Sequence, residues 1–321
     1  MSAAARPPPR LAIVIAFAAL YLIWGSTYLG ILFAIRAIPP LLMAGARFFL
    51  AGLIMLGIAW FQGAPKSSLL EWRSAFIVGA CLLFFGNGGV TIAEQWVPTG
   101  LASLVVATVP IYIALLDWLS GSAPRPSPLI LLGLAGGFLG IGILVGPAWL
   151  STPRTGGKYL GLGMAILLFG SLVWSIGSLY SRHSRNAASP IFFSGQTMLC
   201  GGGLMFIAGL VTGEMRDFHA RNLNLLSLGA FIYLVLVGAI VGYTAYIWLL
   251  RHCDPAKVAT YAYVNPVVAV LLGALFAGEH LTGRTAVAGA IIIGSVALVI
   301  SAPRERSKII ASRAAVVAQT K

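Results

Sequence analysis

The chain has 321 residues, of which 59% are hydrophobic and only 9% are charged, and its mean hydropathy is +0.94. This composition excludes a water-soluble globular protein and indicates a polytopic membrane protein, with the lipid bilayer as its main surroundings. The formal net charge of +13 does not indicate nucleic-acid binding, because the 21 Lys and Arg residues are spread along the links between apolar stretches. The three cysteines form neither a disulfide framework nor a Cys-x-x-Cys site, so we expect no metal and no cofactor.

Ten apolar stretches follow one another, most of them close to the ~20 residues that a helix needs to cross the hydrocarbon. They predict an all-α protein with ten transmembrane helices at residues 11–34, 40–61, 74–93, 98–119, 128–146, 159–181, 190–212, 226–250, 255–277 and 285–301. Ser127, Ser189 and Asp254 each place a capping side chain before a proline at a helix start. Ser68 and Glu71 have the spacing of a capping box.

The region around the first tryptophan of these helices returns later in the chain. Four residues recur 150 positions on without a gap, as the pairs Trp24 and Trp174, Pro40 and Pro190, Gly45 and Gly195, and Gly52 and Gly202. An internal repeat constrains the fold more strongly than a local motif does. We therefore expect a cytoplasmic tail (1–10), a five-helix repeat (11–147), a linker (148–158), a second five-helix repeat (159–302) and a basic cytoplasmic tail (303–321).

Basic residues are divided unequally between the two sides of the predicted membrane. Fourteen lie on the amino-terminal side and six on the other. The positive-inside rule then predicts that both termini are cytoplasmic, in a bacterial inner membrane. Because each repeat has an odd number of helices, the second repeat enters the membrane from the opposite face. Inverted repeats with a site near the midplane are typical of alternating-access transporters.

Aromatic and hydroxyl side chains share one face of the first and the sixth predicted helix. Trp24 and Tyr28 lie together on the first, and Trp174 and Ser178 on the sixth. These residues form either an interfacial aromatic belt or the wall of a substrate cavity. Trp24 lies about 20 Å along the helix axis from Leu11, which favours the cavity.

Further polar residues lie within the third and eighth predicted helices. Asn87 and Thr91 share a face of the third, at a cluster of glycines (86, 88 and 89), and Tyr243 and Tyr246 occupy equivalent places in the eighth. The glycines indicate either plain helix packing or a broken helix whose backbone groups bind a ligand.

Proline interrupts the ninth and the fourth predicted helices. Tyr263 and Asn265 precede Pro266, and Pro110 lies inside the fourth. Each proline leaves carbonyls without helical partners, so the segments either bind substrate or only bend the helix. The fifth and tenth helices have the small-residue spacings of close packing and are assigned to scaffold or dimer contacts, in a monomer or weak homodimer.

Arg47 is the one basic residue that lies deep inside a predicted span, away from its ends. Such a charge either binds an anionic group of the substrate or is a structural tie, with Glu94 or free carbonyls as its partner. Asp117 lies at the cytoplasmic end of the fourth helix, where we expect it to reach water.

Four segments together resemble the EamA family of the drug/metabolite transporter superfamily: YLIWGSTYLG, Arg47 after Pro39-Pro40, ATVPIYIALL and YVNPVVAVLLGALFAGEHLTG. The resemblance covers residues 11–301. It implies ten helices from a duplicated five-helix unit and export of amino acids, other metabolites or drugs, with YddG-type amino-acid exporters as one branch. The first half lacks the usual Gly-Glu pair, because Gly121 is followed by Ser122.

These observations predict an inner-membrane exporter of small organic metabolites, with amino acids, aromatic ones included, as the first class to test. The predicted spans contain no histidine and no central carboxylate, so we expect alternating access without obligatory proton coupling. The alternatives are a passive channel, a lipid-handling or metabolite-handling membrane protein, or proton-coupled drug efflux. An enzyme is not expected, because the spans lack a nucleophile and base, a carboxylate pair and metal ligands.

Overall fold

Apolar helices account for nearly all the regular structure in the computed structural model, which describes residues 9–64, 67–93, 95–97, 102, 105–145, 159–183, 190–276 and 282–302. Within these ranges no residue forms a β-strand. The main helices are α1 (Arg10–Ala34), α2 (Pro40–Phe61), α3 (Leu69–Ala93), α4 (Val109–Leu119), α5 (Pro128–Val145), α6 (Leu160–His183), α7 (Pro190–Val211), α8 (Leu225–His252), α9 (Tyr261–Phe276) and α10 (Gly283–Ser301).

Six of these helices, α1, α2, α3, α6, α7 and α8, are long and apolar enough to cross a membrane. The shorter apolar helices are Val109–Leu119, Pro128–Leu144 and Ala286–Ser301. Large apolar side chains point outward from the bundle, and Phe61 and Leu225 are 86% and 88% exposed. A surface of this kind is stable only against lipid, so the chain is a multi-pass membrane protein.

Three helices differ in detail from the sequence prediction. The third begins at Leu69 rather than at residue 74, because Ser68 and Glu71 form the predicted capping box. The predicted ninth helix is divided into a single turn, Pro255–Val258, and α9. The fourth was predicted from residue 98. Residues 102 and 105–106 are helical, a turn follows at 107–108, and α4 begins at Val109, whereas 98–101 and 103–104 lie outside the described residues.

The contacts between helices are related by a two-fold pseudo-symmetry, in which α1–α5 correspond to α6–α10. α2 packs along α7, and α5 along α10. α1 packs against α8 and α9, and correspondingly α6 packs against α3 and α4. The largest buried cluster of apolar side chains lies where α1, α2, α3, α7 and α8 meet.

Repeated glycines make the contact between α2 and α7 possible. A Cβ atom on Gly52 would lie 2.6 Å from the backbone nitrogen of Leu199, and one on Gly202 would lie 2.4 Å from that of Phe49. Both are below the 3.5–4.0 Å of normal contact, so a side chain at either position would force the helices apart. Position 199 is 150 residues after position 49, so the two contacts are copies of each other.

α3 and α8 each contain a wider π-helical stretch near their middle. It spans Gly79–Asn87 in α3 and Leu234–Tyr243 in α8. π-helical stretches are rare and are found frequently at functional sites, because they change the direction of the following side chains. Here the two stretches end at Asn87 and Tyr243, and both residues face the centre of the bundle.

Candidate functional site

A cluster of aromatic rings occupies the centre of the bundle, where α1, α6, α8 and α9 meet. The rings of Trp24 and Trp174 lie 5.9 Å apart at an interplanar angle of 76°, an edge-to-face arrangement. Tyr246 contacts both indoles, at centroid distances of 5.1 and 5.7 Å. Tyr261 contacts Trp24 edge-on at 4.8 Å. The paired tryptophans therefore belong to the core of the bundle and not to an interfacial belt.

Glycines in the π-helical stretches make room for the two indoles. A Cβ atom on Gly242 would lie 2.6 Å from Nε1 of Trp24, and one on Gly86 would lie 2.5 Å from Cε3 of Trp174. Each tryptophan thus packs on a glycine of a helix from the other half of the chain. The two arrangements are equivalent, because each glycine precedes the last residue of its π-helical stretch.

Three hydrogen bonds form a closed ring around Tyr246. Trp174 Nε1 donates to the Tyr246 hydroxyl at 3.0 Å, and Ser178 Oγ donates to the carbonyl of Trp174 at 2.7 Å. The 2.6 Å contact between Tyr246 and Ser178 is then donated by Tyr246, because the serine proton is already used. Tyr246 and Ser178 are fully buried, so this ring fills the bundle on the amino-terminal side of the tryptophans.

Another hydrogen bond closes the same side of the bundle. The hydroxyl groups of Tyr21 on α1 and Thr260 before α9 lie 2.6 Å apart. Thr260 is fully buried, and Tyr21 lies one turn closer to the amino terminus than Trp24. Together with the Tyr246 ring, this contact leaves α1, α6, α8 and α9 tightly joined on that side.

A cavity of about 120 Å³, here called the central cavity, lies on the other side of the tryptophan pair. Thr27 and Ile31 of α1 line it, one and two turns beyond Trp24. Its wall is mainly apolar or aromatic, with a small number of polar groups. Seven predicted site residues line it, namely Trp24, Arg47, Asn87, Thr91, Trp174, Tyr243 and Asn265.

Arg47 supplies a positive charge to the central cavity, although only 4% of the residue is exposed. Its Nη2 donates to Oδ1 of Asn87 at 3.1 Å, and its guanidinium lies 4.3 Å from the ring centre of Phe48. Within the described residues its Nε has no hydrogen-bond partner. Thr91 donates to the carbonyl of Asn87 at 2.9 Å. The tie to Glu94 considered above cannot be compared with these contacts, because Glu94 lies outside the described residues.

The second repeat has no counterpart of the Arg47 charge. The position 150 residues after Arg47 is Thr197, a fully buried residue whose hydroxyl donates to the carbonyl of Phe193 at 2.7 Å. The α8 residue equivalent to Asn87 is Tyr243, because each is the last residue of the π-helical stretch in its helix. The charge in the described cavity wall therefore comes from the first repeat, whereas the second repeat contributes the aromatic side chains Trp174, Tyr243 and Tyr261.

Some predicted site residues lie elsewhere. Ser178 and Tyr246 support the cavity from behind the tryptophans, as described above. Tyr263 faces α5 instead, where its ring covers Gly137 and its hydroxyl donates to the carbonyl of Leu134 at 3.3 Å. Tyr28 lies on α1, but its side chain is outside the described part of the structure.

Tyr261 lines the central cavity in place of Tyr263. The signal that identifies it is its spacing from Asn265, because residues four apart share one face of a helix whereas residues two apart do not. Asn265 is 5% exposed, and its Oδ1 has no partner among the described residues. These two residues form the α9 side of the wall.

The two predicted helix breaks differ. Pro266 lies inside α9, which continues through it without a break, and the helix is interrupted instead at residues 259–260. Pro110 is in the first turn of α4 and interrupts nothing in that helix. The turns that precede α4 and α9 both coincide with the sequence Val-Ala-Thr, at 106–108 and 258–260. In each, the threonine hydroxyl donates to the carbonyl three residues earlier, at 2.6 Å.

Comparison with known proteins assigns the family. The model of the EamA-like transporter family matches residues 11–146 and again residues 161–301. The chain belongs to this EamA family. It is 39% identical over 285 residues to the uncharacterised inner membrane transporter YedA of Escherichia coli K12, a match that covers 88% of both chains. EamA membership and the name of this relative indicate a membrane transporter of the drug/metabolite type.

Two more distant relatives and one solved structure also resemble the chain. The chain is 28% identical over 280 residues to protein PecM of Dickeya dadantii, with 87% of this chain and 88% of PecM covered. It is 25% identical over 286 residues to a probable amino-acid metabolite efflux pump of Salmonella typhimurium, with 84% and 88% covered. A protein of known crystal structure has the same fold, with a TM-score of 0.73 at 20% identity over 90% of this chain and 97% of that one.

Proposed function

We propose that this EamA-family protein exports small carboxylate-bearing metabolites across a bacterial inner membrane, with amino acids, aromatic ones included, as the first class. Drug-like relatives of these metabolites are a secondary class. The observation that carries the proposal is Arg47, a buried guanidinium that lines an aromatic-walled cavity. A small apolar site with one charged group is suited to a solute that has a carboxylate at one end and an apolar body at the other.

The geometry of the cavity supports the substrate class. Asn87, which accepts the hydrogen bond from Arg47, is neutral, so it does not balance the charge. A charged group held away from water is stabilised most by a partner of opposite sign. The indoles of Trp24 and Trp174 supply flat surfaces for the apolar end of the solute. A volume of about 120 Å³ is below the ~300–1,000 Å³ of drug-sized sites, which favours small metabolites.

The proposed mechanism is alternating access by two inverted five-helix repeats in a ten-helix bundle. Supporting it are the exchangeable packing of the helices and the repeated glycine contacts of α2 and α7. The central cavity lies on one side of the tryptophans, and the Tyr246 ring closes the other. In the opposite state the two halves exchange these arrangements. With both termini in the cytoplasm, the present state faces outward. The closed side argues against a passive channel.

The described cavity wall contains no Asp, Glu or His. A proton-driven carrier usually needs a protonatable group that both faces can reach in turn. We therefore propose exchange or facilitated diffusion, in which export follows the gradient of the solute itself.

Counterflow in liposomes tests the function. Vesicles containing purified protein are loaded with one unlabelled amino acid at a time, and uptake of the same labelled amino acid is measured. At least one amino acid should show saturable exchange, and Arg47→Gln should abolish it. Arg36→Gln is the matched control, because it removes the same charge from an exposed position beyond α1.

Each part of the proposal fails on a different result. Saturable exchange only of solutes that lack a carboxylate would contradict the carboxylate class. Flux that does not saturate would contradict the carrier mechanism. Uphill transport driven by an imposed pH gradient would contradict the absence of proton coupling.

A further inference from the structure

A second cavity of about 300 Å³ lies at the amino-terminal side of the helices and is here called the basal pocket. It is bounded by the end of α4, the link to α5, the end of α6 and the link between α8 and α9. None of its lining residues lines the central cavity, so the two sites are separate.

Basic groups outnumber acidic groups in the lining of the basal pocket. The basic ones are Arg125, Arg182, Arg251 and Lys257, and the acidic ones are Asp117 and Asp254. The first turn of α5, the positive end of an 18-residue helix, also faces this space. The charged side chains of the lining therefore carry a net positive charge, which is suited to an anion.

The basic side chains of the basal pocket differ in the contacts they make. Arg182 pairs with Asp117 at 3.2 Å, and Asp117 is only 4% exposed. The expectation that Asp117 reaches water is therefore wrong, because α6 supplies a counter-ion within the bundle. Lys257 donates to the carbonyl of Ala302 at 3.0 Å and so caps the end of α10. Arg125 is exposed and makes no hydrogen bond or ion pair with another described residue.

We propose that the basal pocket binds the phosphate of an anionic phospholipid headgroup, of the phosphatidylglycerol type, and that Arg125 is its principal charged contact. Basic pockets between transmembrane helices on the cytoplasmic side are suited to such headgroups. The pocket is at the level of the helix ends, which is where the phosphates of a bilayer lie.

The walls of the pocket favour a lipid over a free anion. Ala114, Ile130 and Ala256 contribute apolar surface beside the charged groups. At the end of α4, next to the pocket, Trp118 and Leu119 are 40% and 66% exposed on the apolar surface of the bundle. A phospholipid can place its phosphate against Arg125 and its glycerol and acyl groups along these apolar residues, whereas inorganic phosphate gains nothing from them.

Lipid binding to the purified full-length protein tests this assignment. Delipidated protein is titrated with phosphatidylglycerol, with zwitterionic phosphatidylethanolamine or with inorganic phosphate. Retained lipid is measured by native mass spectrometry and stability by thermal unfolding. Arg125→Gln should weaken phosphatidylglycerol binding about five-fold, since one basic residue contributes ~1 kcal/mol near a lipid surface. Arg221→Gln, which removes an exposed charge between α7 and α8, should leave it unchanged.

Three results would overturn the proposal. The first is equal binding of phosphatidylglycerol and phosphatidylethanolamine. The second is an effect of Arg221→Gln as large as that of Arg125→Gln, which would indicate a general charge effect. The third is stabilisation by inorganic phosphate alone with the same dependence on Arg125, which would assign the pocket to a soluble anion. If Arg125→Gln folds poorly, wild-type binding that does not weaken between low and high salt would contradict the electrostatic contact.

Discussion

Adding one methyl group behind Trp24 should disable transport while the protein still folds. In Gly242→Ala the new Cβ would lie 2.6 Å from Nε1 of Trp24, so the indole must move about 1 Å to restore a normal contact of ~3.5 Å. The central cavity offers the indole open space on the side away from Gly242, and the move would lengthen the 3.3 Å hydrogen bond to the carbonyl of Gly238. Overpacking costs ~1–3 kcal/mol, and we expect about half of it to appear as a loss of apparent substrate affinity of roughly two- to ten-fold.

The matched control is Gly229→Ala, which lies in α8 and has no atom within 4 Å of its new Cβ. Liposome exchange and thermal unfolding are measured for both variants. The control should exchange normally, and Gly242→Ala should keep its folded yield with a melting temperature only a few degrees lower. Equal exchange by the two variants would refute the placement of Trp24 in the substrate path.

The remaining predictions concern the scaffold. Gly202→Ala should destabilise the α2–α7 contact by ~1–3 kcal/mol, because its Cβ would lie 2.4 Å from a backbone nitrogen. Gly57→Ala, which has open space around the new Cβ, should leave the melting temperature unchanged. Equal melting temperatures of the two variants would contradict the close contact of α2 and α7. Asp117→Asn and Arg182→Gln should each lower folded yield, and the double variant should recover part of it; additive losses would show that the ion pair is not coupled. Green fluorescent protein should fluoresce when fused to the carboxyl terminus but not when fused after Arg216, and the reverse would invert the proposed topology.

Repetition made much of this architecture predictable from the sequence. The glycines that pack α2 on α7 and the tryptophans that meet at the centre both recur at an interval of 150 residues. Trp24 packs against Trp174, its equivalent in the other repeat, and the contacts of Gly52 and Gly202 are likewise equivalent. Each of these positions is therefore constrained by packing in both repeats. That constraint is visible in the sequence before any packing is known.

The details of the cavity wall were less predictable, because they depend on local changes in helix geometry. The break at Thr260 resets α9, so that Tyr261 and Asn265 face the cavity while Tyr263 faces α5. The bond between Arg47 and Asn87 joins two helices whose sequences have no feature that pairs them. The π-helical stretch that ends at Asn87 is not indicated by any periodicity of the sequence.

The most direct test of the substrate site compares a carboxylate with its carboxamide. Binding of the first amino acid that exchanges in liposomes, and of its amide, is measured by quenching of the tryptophan fluorescence. Wild-type protein should prefer the carboxylate at least about ten-fold, since a hydrogen bond to a charged group contributes ~1.5–3 kcal/mol. Arg47→Gln should bind the two ligands equally. A preference that survives in Arg47→Gln would contradict the account, because the carboxylate would then be recognised elsewhere.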